Sequence, residues 1–480
     1  MQKKFITNLA FLLFLNLLIK PFWILGIDRS VQNAVGAEQY GLYYALFNFS
    51  FLFNILLDLG ISNFNNKNIA QNQALLNKNL SGIIFLRIIL AVIYISISLF
   101  IGLLIGYELS QLSLLLLLLF NQVLISFILY IRSNYSGLLL FKQDSIISVL
   151  DRFLMICFTG YLLWFRKSAT PFKIEWFIWS QTASYILTAG IAFFFLARKA
   201  QLQRLTWNLP FMRMILRQSY PFALLVLIMT IYFRIDGVMI ERLLPDGKEK
   251  AGIYAQAFRL LDAASMIAYL FAALLYPIFS RMIKMKEQIH ELLRLSYSLL
   301  VIPAFITGLL CFFFKSEIMH LLYHEHVDLS APAFGLMMFT FGAVSTSYIY
   351  GTLLTANGSL GVLNKIAGCS LFLNVILNMI LIPKLEVTGA AIAGLVTQYM
   401  SALLQALFAY RIFKMSPDRK YVLSIMAVLV LSFALLWLLR TTGLPWIWQF
   451  ISGFGLAFLL SAALRIINLK SLYLILKKDL

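Results

Sequence analysis

Four ionisable side chains sit inside stretches too apolar to expect them. Arg234 and Asp236 lie in the run that begins at Tyr220, and Arg259 and Asp262 in the run that begins at Gly252. A charge at bilayer depth costs several kcal/mol, so such groups face a protein interior or a water-filled cavity. Arg234 and Asp236 are two apart and point to different faces of a helix, whereas Arg259 and Asp262 are three apart and can touch. A guanidinium offers a planar fork of donors that fits phosphate or carboxylate, and an acid beside it can take up a proton or cation when its partner leaves. The set therefore reads as a polar pocket between helices for an anionic group. Arg234 and Arg259 are its binders, and Asp236 and Asp262 its candidate coupling acids. The bland alternative is a fixed charge pair stapling helices.

Other ionisable groups join the list with their own bland readings. Lys20, before Pro21, is a cavity cation or snorkels to the outer interface. Arg152, beside Asp151 and about two turns from a span end, is a further cavity cation. Asp28 and Arg29 read as a short exposed link. Arg87 snorkels back to the near surface. Asp58 is a coupling candidate or an ordinary helix-end acid. His320, His324 and His326 share a loop with Glu317, Glu325 and Asp328, but their spacing fits no closed zinc pattern, so no metal site is expected. Cys157, Cys311 and Cys369 are scattered through apolar runs and read as packing residues. There is no Walker loop, no Ser-His-Asp set and no H-E-x-x-H, so the chain is expected to be no enzyme and to hold no cofactor beyond a coupling H+ or Na+.

The elements that must position these groups are transmembrane helices. Of the 480 residues 61% are hydrophobic and 12% charged, against about 45–50% and about 25% in a soluble domain. Spans of roughly 20 apolar residues are expected near 5–25, 40–60, 82–105, 111–131, 145–165, 174–197, 219–240, 252–280, 293–314, 331–354, 362–382, 388–411, 420–440 and 446–467. The predicted fold is thus an all-α polytopic membrane protein of about 14 transmembrane helices. About 23 of the 39 Lys and Arg fall on the N-terminal side of this alternation and about 10 on the other, which puts both termini in the cytoplasm. The net charge of +19 is then mostly contact with anionic lipid, with no nucleic acid as partner.

The second half restates the first. Glu38, Gly41, Tyr43 and Phe47 recur as Glu249, Gly252, Tyr254 and Phe258 at one constant offset. Both motifs open an even-numbered span, as in transporters built of parallel halves. The expected divisions are a six-helix lobe over 1–200, a linker over 201–217, a second six-helix lobe over 218–415, and two extra helices and a tail over 416–480.

Four places carry a family resemblance. They are Gly36, Glu38, Tyr40, Gly41 and Tyr43; Leu57, Asp58, Leu59 and Gly60; Arg234 and Asp236 with Ala251, Gly252, Tyr254 and then Tyr276, Pro277 and Ser280; and Asn374, Asn378, Pro383 and Gly389 to Ala393. Together they resemble the Wzx-like O-antigen and capsule flippases of the multidrug/oligosaccharidyl-lipid/polysaccharide exporter superfamily. The resemblance implies two pseudo-symmetric six-helix lobes around an alternately opening cavity, plus two C-terminal helices. It implies a cation-coupled flippase of the bacterial inner membrane that moves a polyprenyl diphosphate-linked glycan to the periplasmic leaflet, with membrane lipids and polysaccharide polymerase machinery as partners. The link from Arg29 to Gly36 departs from the family pattern, which has a basic residue close before that glycine, and Arg29 is the substrate residue the resemblance carries over to this position.

Two alternatives share that fold, a lipid-linked peptidoglycan precursor flippase and a cation-coupled multidrug exporter. The exporter branch favours acidic cavity groups, and here Lys and Arg outnumber acids at depth. A membrane-embedded glycan polymerase or ligase needs a large periplasmic loop, which the spans leave no room for. A purely structural scaffold leaves the buried charges unexplained.

Overall fold

The computed structural model describes residues 14–464 apart from 17, 20, 63–64, 67–68, 70–74, 139, 167–170, 200–208 and 416–417. Among them every regular element is a helix. In order these are α1 (Arg29–Leu52), α2 (Leu75–Ile105), α3 (Leu109–Gly137), α4 (Phe141–Gly160), α5 (Ile174–Ala197), α6 (Leu209–Leu243), α7 (Gly247–Met285) and α8 (His290–Ser296). They continue with α9 (Ile302–Phe313), α10 (Lys315–Leu322), α11 (Val327–Ala356), α12 (Leu360–Ile412), α13 (Arg419–Arg440) and α14 (Trp446–Ala463). Nine helices among the described residues are long and apolar enough to cross a membrane. This does not reach the fourteen spans expected. α12 counts once, and α1, α6 and α7, where buried polar groups gather, fall outside the criterion.

Contacts divide the chain into two compact units, Met1–Gly252 and Ile253–Leu480. The division falls inside α7. Most of the linker expected over 201–217 lies outside the described residues or has only its backbone described.

In the first unit the helices show why an all-apolar segment still takes one orientation. On α2, Leu86, Leu90, Tyr94 and Ser98 recur every four residues and are buried, while Ile88, Val92, Phe100 and Leu103 on the other side are exposed. Both sets are mostly apolar, so shape and small polar contacts decide which side faces protein. Tyr94 Oη donates to the Ser50 carbonyl at 2.6 Å, locking α2 to α1. α3 starts at a capping box in which Gln111 accepts from the Glu108 backbone at 3.1 Å, satisfying donors that a helix start leaves open. α5 turns a small polar face inward, with Ser180, Gln181, Ser184 and Thr188 buried.

The stretch before α1 departs from expectation. Residues Trp23–Asp28 form a wide π-turn that runs straight into α1, and the true break is at Gly36, with φ 80 and ψ 170. That backbone is open almost only to glycine. Asp28 is therefore no exposed link: it is 3% exposed within a continuous helix. Arg87 does not snorkel either. It is 6% exposed, bonded to Asp58, and donates to Ser126 Oγ at 2.8 Å and Ser62 Oγ at 2.8 Å. A serine-lined notch beside the broken end of span two gives both terminal nitrogens of the guanidinium partners where it is, leaving only Nε without one.

In the second unit, α12 contains the predicted gap between two spans. Glu386 breaks the helix with φ 51 and ψ −129, three residues after Pro383. α13 and α14 pack onto α9, with Ile302, Ile306, Leu310 and Phe314 buried against Val428, Leu436 and Ala457. Cys311 is buried, but Cys157 and Cys369 are exposed, so the packing role holds for Cys311 alone.

Interactions between connections sort them by side within each unit. In the first, Asn65 donates to Ser133 Oγ at 3.0 Å beside the turn after α3. At the other ends of these helices, Arg242 stacks on Tyr107 at 3.7 Å. Burial pushes the Tyr107 phenol above its usual pKa, nearby Glu241 adds to this, and Arg242 opposes it. In the second, Arg294 donates to Asp418 at 3.2 Å, and Arg440 bonds Glu317 across the opposite turns. Each pair joins connections that the expected alternation places on one side of the membrane.

Candidate functional site

Arg152 stands on α4 with its guanidinium 5.5 Å from the Trp23 ring and 5.9 Å from that of Tyr185. Its carboxylate contact is its own neighbour Asp151, at 3.8 Å. Arginine tolerates such a place because its charge is delocalised and its flat face is weakly hydrated. The aromatic floor is continuous: Trp23 stacks on Phe177 at 5.7 Å, and Phe177 meets Tyr43 edge-on at 5.3 Å. Gln181 donates to Tyr43 Oη at 2.9 Å. Arg29, at the head of α1, is half-buried, and its Nε has no hydrogen-bond partner. Close by in sequence, Asp28 accepts from Tyr40 Oη at 2.8 Å, so the two ends of the Gly36 break are tied together.

Arg234 lies on α6. Its Nη1 reaches Asn48 Oδ1 at 3.5 Å and its guanidinium lies 5.2 Å from the Phe51 ring. Asp236, two residues on, is 6% exposed. Arg259 and Asp262 belong to the second unit and are both half-buried on α7. Tyr348 lies within electrostatic reach of Asp262 and meets Tyr269 edge-on at 6.4 Å. Asp58 is engaged by Arg87 and accepts from the Ser62 backbone at 3.1 Å. Lys20 lies outside the described residues. His320, His324 and His326 form no metal-holding group among the described residues.

The structure thus gathers the aromatic floor around Arg152 and, on α1, the Asn48 and Phe51 side chains that hold Arg234. Sequence reasoning missed Asn48, Gln181 and the bond between Asp28 and the motif residue Tyr40. A signal for Asp28 was present. The apolar run from Phe22 to Ile27 carries on through Val31 and Val35 at helical spacing, so span one could have been extended to Gly36.

The repeat motif has a structural counterpart. Tyr43 stacks on Phe47 at 5.7 Å and Tyr254 on Phe258 at 5.7 Å. The motif glycines also meet. A Cβ on Gly41 would fall 1.6 Å from the Lys248 carbonyl, and one on Gly252 would fall 1.9 Å from the Ala37 carbonyl. Each carbonyl lies four residues before the opposite glycine, so the contact is reciprocal. Only glycine permits backbones this close.

Residues 8–283 match the family described as polysaccharide biosynthesis protein. More than half of the chain is covered, and the chain belongs to this family. Its fold is shared with solved transporters of low sequence identity. The inward closed conformation of the lipid II flippase MurJ matches with TM-score 0.72 and 15% identity over 94% of this chain and 97% of that one. The Vibrio cholerae MATE transporter VcmN, in its bent form, matches with TM-score 0.53 and 16% identity over 85% and 97%. An inward-facing multidrug resistance MATE family transporter of the MOP superfamily matches with TM-score 0.58 and 14% identity over 82% and 96%. No curated protein matches by sequence. The chain is a multi-pass membrane protein with the fold of MOP-superfamily transporters.

Proposed function

We propose that this protein flips a polyprenyl diphosphate-linked oligosaccharide from the cytoplasmic to the periplasmic leaflet of the bacterial inner membrane by alternating access. The observation that carries the reading is the half-buried Arg152 against Trp23 and Tyr185, in a chain of the polysaccharide biosynthesis family. A cation held mainly by ring faces retains its attraction for an incoming diphosphate, while an acidic pocket would repel one. Arg29, Arg234, Arg259 and Lys20 are further substrate groups. Both termini are cytoplasmic by the positive-inside bias, and the exported glycan passes to polymerase machinery.

Coupling to H+ or Na+ falls on Asp236 and Asp262. Asp58, whose carboxylate is bonded to Arg87, is a further candidate. The protein acts without cofactor and without covalent chemistry. The test is depletion of the protein in a glycan-producing strain. The lipid-linked glycan should accumulate on the cytoplasmic leaflet and surface glycan should fall, and unchanged surface glycan sinks the reading. A second reading, flipping of a lipid-linked peptidoglycan precursor, is favoured by the extent of the match to MurJ. It predicts accumulation of that precursor instead, with lysis.

A further inference from the structure

We propose that the cavity bounded by α8, α9, α11, α12 and α13 holds one anionic phospholipid, headgroup at Arg294 and one acyl chain inside. The cavity has a volume of about 360 Å³ and its walls carry Tyr297, Tyr350, Tyr399, Tyr410 and Tyr421. Three observations identify the occupant.

The first is where the cavity opens. Leu403 and Met426 line it and are 60% and 57% exposed. Apolar side chains that exposed on membrane-spanning helices face lipid, so the mouth opens sideways into the bilayer rather than into water. The second is its polarity. Phe305, Leu403, Ala406, Met426 and Leu429 give it apolar walls, and Arg294, which also lines it, lies 4.4 Å from the Tyr421 ring and donates to Asp418, a second lining residue. A ligand with a chain and a polar head fits that lining, and a wholly apolar or wholly soluble one does not. The third is charge. The chain on either side of Arg294 and Asp418, which line the polar end, carries Lys286, Arg294, Arg411, Lys414 and Lys420 against Glu287, Glu291 and Asp418. That surplus selects an anionic head. The volume is at the small end of ligand sites and suits one acyl chain, not a long polyprenyl tail. The site lies wholly in the second unit and is separate from the groups around Arg152.

The full-length protein, extracted in mild detergent, should retain one phosphatidylglycerol per chain when weighed by native mass spectrometry. Ala406→Phe places a ring in the cavity and should lower retention about tenfold. Arg294→Gln should lower the preference for phosphatidylglycerol over phosphatidylethanolamine about tenfold while leaving chain binding in place. If Ala406→Phe does not yield folded protein, Leu403→Trp crowds the exposed mouth without entering the core and should lower retention likewise. Retention unchanged in these variants overturns the proposal. So does recovery of a polyprenyl phosphate lipid in place of phospholipid, or equal competition by glycerol phosphate, which would mark a plain phosphate site.

Discussion

The half-buried Arg152 and the buried Arg87 differ in their surroundings, and the difference separates a proposed substrate group from a structural one. Around Arg152 the partners are the Trp23 and Tyr185 rings, the Tyr185 hydroxyl, Met155 Sδ at 3.2 Å and one adjacent acid. Arg152→Ala and Arg152→Lys should both abolish glycan export while leaving the protein in the membrane, because lysine lacks the planar fork that grips phosphate. Surface-glycan blots read beside membrane protein levels check this, and export by a well-expressed Arg152→Ala protein removes the residue from the site. Around Arg87 the partners are a carboxylate and serine oxygens from two segments, the turn holding Asp58 and Ser62 and the α3 residue Ser126. Arg87→Ala should destabilise the protein by about 3 kcal/mol, the low end for a broken buried pair because Asp58 is 30% exposed. A lower melting midpoint in detergent, with recovery in the Arg87→Ala, Asp58→Asn double variant, reads this out. Both residues look alike in sequence, each an arginine inside an apolar run. What separates them is contact across tens of residues, which a linear pattern does not carry.

At the scale of elements, breaks matter more than lengths. Gly36 sits at φ 80 and ψ 170, where any Cβ is strained. Gly36→Ala should cost about 1–3 kcal/mol and loosen the Asp28–Tyr40 bond, which depends on the angle between the two flanking helices. Faster proteolysis near residue 36 than in wild type would show it, and an unchanged cleavage pattern would not fit. The second break was legible in advance. Pro383 stops a helix by chemistry that any reader of a sequence can apply, and the gap expected between 382 and 388 contains the Glu386 turn. The first was not, because Asp28 and Arg29 read as a surface link on charge alone. Here the carboxylate is sheltered by Tyr40 Oη, and a buried, partnered acid leaves no mark in hydropathy. Helix type and most helix positions were readable from apolar runs. The polar partners that decide which side of each helix turns inward were not.

For the molecule as a whole, orientation is the property most open to test. Single cysteines at Asp246 and Lys414 should label from opposite faces of the membrane, the first from the periplasm and the second from the cytoplasm. Labelling of both from one face would break the alternation on which the charge bias rests. The meeting of Gly41 with Gly252 bears on inheritance. Two copies of one motif that touch each other are not free to drift apart, since each is the other's wall. Alanine at either position should separate the same two backbones, so the second substitution should cost much less than the first. A double-mutant cycle would show this as a large coupling energy, whereas independent sites add. A duplicated sequence usually gives each copy licence to change. A self-facing patch withdraws that licence at one point, where a change in either copy is read at once by its twin.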